Sequence, residues 1–143
     1  MKKFDILPDE SGTTVRVIAS TKVGLVTAAL EGLFAVARPK FVETDAEKRQ
    51  FADTSARPFS VQAADFKDLV VKLLETAWKE ANDRKEAYTG LRFSLITDVK
   101  TEGELLGLPI TGFDRKIKSA ACDSPAVQKN QVGNWEASFS FKV

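Results

Sequence analysis

The chain contains no histidine and one cysteine, Cys122. Without histidine it lacks the side chain whose ordinary titration falls near neutral pH and the commonest metal ligand, which excludes serine-hydrolase and zinc-protease constellations. One cysteine excludes an intrachain disulfide framework and a multi-cysteine metal cluster, and a reducing cytoplasm is the compartment expected. Charge of one sign is also missing: 21 basic against 20 acidic residues leave a formal charge of +1. No global field therefore draws the chain onto nucleic acid or an anionic membrane, and strong direct nucleic-acid binding is not expected. Long hydrophobic runs are absent. MKKFDILPDESG at the N-terminus has only FDIL before its polar run, which is no signal-peptide core. VGLVTAALEGLFAVA, residues 23–37, is broken by Glu31 and too short to cross a bilayer as a straight helix, so no membrane association is expected. Neither GxxxxGK[ST] nor GxGxxG occurs, which removes the standard phosphate-binding turns.

What is present is the pattern of one domain. At 143 residues the chain can bury roughly two thirds of the surface its unfolded form exposes. KFDIL and TTVRVIA predict two strands around the turn PDESG, where proline and glycine favour reversal. Ser20 or Thr21 can cap a helix over about 21–37, and Arg38-Pro39 ends it. Gly24 and Gly32 inside that helix imply close packing. Residues 40–56 carry alternating charge with little periodicity and are the candidate for a mobile connection. A short strand, RPFSVQA, follows. Phe66, Leu69, Val70, Leu73, Leu74, Ala77, Trp78 and Ala81 recur at helical spacing, with Asp65 as the cap. LRFSLITDV, ELLGLPI, KIKSAAC and WEASFSFKV then read as strands. Helices in the first half and strands closing the chain predict an α+β fold, two helices packed on a mainly antiparallel sheet.

Few residues carry chemistry. Asp9 and Glu10 lie beside a turn, where solvated carboxylates are the ordinary outcome and a hard-cation site the sharper one. Lys116 and Lys118 share one face of KIKSAAC, which suits a wet sheet face. Cys122 follows two alanines in an apolar strand, the setting of a buried, inert thiol. Phe66, Trp78, Phe139 and Phe141 stand at core spacing. In WEASFSFKV, Trp135, Ala137, Phe139, Phe141 and Val143 take one face, and Glu136, Ser138, Ser140 and Lys142 the other. An enzyme would have to use Lys118 and Asp123 as acid and base in a deep pocket, and no catalytic function is expected.

Several of these strings resemble the archease family. TTVRVIASTKVGLVTAALEGLFAVA resembles the family's opening strand and helix, with Ala28, Ala29, Leu30, Leu33 and Phe34 as the helix core. SVQAADFKDLVVKLLETAW resembles its second strand and helix. IKSAACDSPAV stands where the family has a V-K-A-x-T-Y-H-like strand, and WEASFSFKV where it has a closing W-x-A-x-V-x-F-D-V strand. The resemblance implies a small α+β accessory protein of the tRNA-splicing RNA ligase, with an acidic metal cluster and a nearby lysine. The family lysine matches Lys118. With VRV aligned to the family's IRV strand, the H-T-A-D-I-G motif falls on residues 9–14 and its aspartate becomes Gly12; a register shift brings Asp9 or Glu10 there instead. The family histidine becomes Asp123, and the aspartate of the closing strand becomes Lys142. A divalent cation, Ca²⁺ or Mg²⁺, would thus have Asp9 and Glu10 as ligands and Lys142 opposing it. If their strands are neighbours, Lys118 and Lys142 form a small anion site instead. A binding or chaperone-like module that keeps the fold without metal or ligase activation is the alternative.

Overall fold

The computed structural model describes residues 2–9, 12–41, 55–122 and 128–142. Its first sheet opens with a hairpin, β1 (Lys2–Asp9) against β2 (Gly12–Ala19), in which Asp9 pairs with Gly12. Thr21 caps α1 (Lys22–Ala37) by accepting from the Gly24 N–H at 2.9 Å. Arg38 ends it in the left-handed region (φ 53°), its N–H donating to the Phe34 carbonyl, and Pro39 then starts the short strand β3 (Pro39–Phe41). The stretch read as a connection is therefore trimmed at both ends. β3 enters it from one side and β4 (Ser55–Gln62) from the other, while 42–54 lie outside the described residues.

Asp65 caps α2 (Phe66–Arg84), its carboxylate accepting from the Asp68 N–H at 2.8 Å. The chain then forms β5 (Glu86–Ile96), β6 (Lys100–Phe113), β7 (Ser119–Cys122), β8 (Gln128–Lys129) and β9 (Trp135–Lys142). Strand β6 absorbs KTEG and most of TGFD, read above as connections. KIKSAAC, in contrast, is a strand only from Ser119.

Two antiparallel sheets result, where the sequence reading had one. The first runs β1-β2-β9-β7, with β8 also on β9; the second runs β3-β6-β4, with β5 also on β6. Helix α1 lies among β1, β2 and β5, which is why its apolar residues cover most of its circumference: Leu25, Val26, Leu30, Leu33, Phe34 and Val36 are all buried. Gly32 permits the approach, since a Cβ there would lie 2.7 Å from a Val15 methyl. α2 buries one face against β4, β5 and β7. Phe139 and Phe141 are 0 and 1% exposed, and burying each stabilises the fold by about 2 kcal/mol. Phe66 joins the same core, with Trp78 and Cys122 partly buried against it.

Candidate functional site

One end of the first sheet gathers most of the positions singled out above. Asp9 pairs with Gly12, Thr13 with Phe141, and Ser119 with Lys142. Gly12 and Lys142 each stand one residue beyond the Thr13 and Phe141 pair, so positions 9, 12, 142 and 119 form one row across four strands. Lys118 joins it, because its N–H donates to the Lys142 carbonyl at 2.6 Å. Lys118 and Ser119, successive in the chain, thus both adjoin Lys142. Burial agrees: Ile117 is buried and Ala120 half-buried, while Lys118 and Ser119 between them are both exposed. The proximity condition for the lysine pair is met in the backbone, and Lys142 itself is exposed.

Glu10 and Asp123 lie outside the described residues. Among the described residues no three of Asp, Glu and Cys gather as a metal ligand set. Lys116 and Lys118 were expected on one strand face, but both precede β7, and they border different cavities.

Between α2 and β7 opens a cleft of about 350 Å³. Leu33 from α1, Leu74 and Trp78 from α2, and Ile117 and Ala120 from the sheet edge give it apolar walls. Glu75, Lys79, Lys118 and Ser119 supply its polar groups. The helical side is a consequence of spacing: 74, 75, 78 and 79 fall on one face of α2. Trp78 is held by Phe113 (ring centroids 4.6 Å apart) and Phe34 (6.3 Å), so the aromatic wall is fixed from behind.

A second polar cluster escaped the sequence reading. Glu86, 6% exposed, accepts from Arg57 Nε at 2.9 Å and Nη2 at 3.1 Å, and from the Tyr88 hydroxyl at 3.1 Å. Burial pushes the Glu86 carboxyl up, but hydrogen bonds from Arg57, Ser55 and Tyr88 outweigh it and hold the group below the usual carboxylate value. Burial, and then the adjacent Glu86 charge, push the Tyr88 phenol above its ordinary value. None of the three lines the cleft. The cluster is a satisfied structural circuit in the second sheet. No local signal marks it, since a glutamate just after a helix end looks solvated until β5 is paired with β6.

No protein-family model matches the chain, and no curated protein matches it by sequence. Among the described residues no helix is long and apolar enough to cross a membrane. The solution structure of Methanobacterium thermoautotrophicum protein 1598 is similar to this chain with a TM-score of 0.59 over 98% of each chain, at 14% sequence identity. At that identity the likeness is one of fold: two helices packed against mainly antiparallel sheets in a single α+β domain.

Proposed function

We propose that this chain is a non-catalytic accessory protein of archease type, acting by contact with a protein partner in RNA ligation or repair, with the family's divalent-cation site degenerate. The partner the resemblance implies is a tRNA-splicing RNA ligase. The observation that carries the reading is the row at the end of the first sheet. Positions 9, 12, 118 and 142 come from three distant strings of the sequence, are positions onto which the resemblance maps the family's site, and are neighbours at one end of the first sheet. An end-to-end match of fold at TM-score 0.59 also suits a divergent relative of a small α+β protein.

Lys142 is the reason for calling the metal site degenerate. A cation about 4 Å from its ammonium would be opposed by ~4 kcal/mol per unit charge at an effective dielectric near 20. Calorimetric titration with Ca²⁺, Mg²⁺ and Mn²⁺ should therefore give no binding for the wild type and recovered binding for Lys142→Asp. The partner is tested separately, by multiple-turnover ligation with a purified tRNA-splicing RNA ligase in the presence and absence of this chain. A stimulated rate supports the accessory role. An unchanged rate leaves the second reading, a binding module that keeps the fold without ligase activation, which the adjacency of Lys118 and Lys142 favours by making this end a poor cation site.

A further inference from the structure

We infer that the cleft between α2 and β7 binds a small amphipathic carboxylate, its apolar body against Trp78 and its head at Lys79 and Lys118. The volume, about 350 Å³, falls within the range of small-molecule sites. The lining divides by chemistry. Leu33, Leu74, Trp78, Ile117 and Ala120 offer a continuous apolar wall, which calls for a hydrocarbon or aryl body. At the polar side Lys79 and Lys118 outnumber Glu75, and the Ser119 hydroxyl adds a neutral donor.

The lysines are available. Neither Lys79 nor Lys118 takes part in a side-chain ion pair among the described residues, whereas Lys2 pairs with Glu31, Lys22 with Asp98, Lys40 with Asp114 and Arg84 with Glu80. Lys142 adds a further cation beside Lys118, whose N–H donates to its carbonyl. An anionic head is therefore favoured over a cationic one. A bare anion is not enough, because exposed lysines hold such ions weakly and the apolar wall would remain wet. The ligand class follows from both halves together, and it does not depend on the ligase reading.

The test uses the full chain, with phenylbutyrate as probe, phenylbutylamine as its charge-reversed counterpart and acetate as the head alone. Phenylbutyrate should bind in calorimetry and shift backbone amides at 74–79 and 117–120 in a nitrogen-15 correlation spectrum. The double variant Lys79→Glu/Lys118→Glu should weaken it by roughly tenfold or more, as loss of charge-assisted contacts implies, and should improve the amine. Ala120→Phe fills the cleft without altering charge and should abolish phenylbutyrate binding while the spectrum elsewhere stays that of the folded chain. Equal affinity for phenylbutyrate and phenylbutylamine, equal affinity for acetate, shifts confined to other residues, or no binding at all would each overturn the inference.

Discussion

The charged groups of the second sheet and those at the open end of the first were solved in opposite ways. Arg57, Glu86 and Tyr88 form a closed circuit in which the one buried carboxylate receives three side-chain hydrogen bonds from them. Lys79, Lys118 and Lys142 sit exposed with no ion pair among the described residues. The difference follows from burial. A carboxylate taken out of water must be paired or the sheet fails to close over it, whereas an exposed ammonium is already satisfied by solvent. Pairing therefore marks what holds the fold together, and unpaired charge beside an apolar cleft marks what is left for a ligand.

The sharpest break of that comparison lies in the packing beneath the circuit. Strand β6 carries Gly103 between Phe59 and Phe93, whose rings meet edge to face at 6.1 Å. A Cβ at 103 would lie 2.1 Å from the Arg92 carbonyl oxygen, a backbone atom that cannot step aside. Gly103→Ala should cost about 3 kcal/mol in urea unfolding. A loss below ~0.5 kcal/mol would mean that β5 is not held so closely.

Next comes Glu86→Gln, which keeps the shape and loses the charge-assisted bonds to Arg57. It should cost about 2 kcal/mol at neutral pH. The sign of its pH dependence follows from the depressed value. The folded carboxyl titrates below the ordinary 4.5, so its contribution is present above 4.5 and is lost as pH falls through the folded value. The gap between wild type and Glu86→Gln should shrink as acid unfolding curves are taken from neutral pH down past 4.5. A gap that stays constant, or widens, would remove the charge from the account.

The smallest effect belongs to the open end. Lys79→Glu/Lys118→Glu should change unfolding free energy by no more than ~0.5 kcal/mol, since neither ammonium supports a partner. A large loss there would show these lysines to be structural, and would erase the contrast between the two regions.

How far the sequence was legible varies with the same contrast. The bounds of α1, the start of α2 after its Asp65 cap, Thr21 as one of two caps weighed for α1, and the inward Ala137, Phe139 and Phe141 of WEASFSFKV were legible because capping and helix and strand spacing are local properties, while Val143 lies outside the described residues. Trp135 departs from its face in being only half-buried, under Lys22 and Lys129. Asp9, Lys118 and Lys142 were legible as candidates, but their meeting in one row needed the pairing of β1, β2, β7 and β9. Glu86 was not legible at all: Glu86, Ala87 and Tyr88 are buried in succession, so no alternation distinguishes the carboxylate from its neighbours.

By itself the amino-acid sequence determined where α1 runs, where α2 begins and which apolar side chains of those helices leave water, since these depend on spacing within a few residues. The tertiary structure alone decided that the strands divide into two sheets, that Glu86 finds Arg57, and that Lys118 lies beside Lys142 at the mouth of a cleft. Register between distant strands sets those neighbours, and no local pattern encodes which strand will lie next to which.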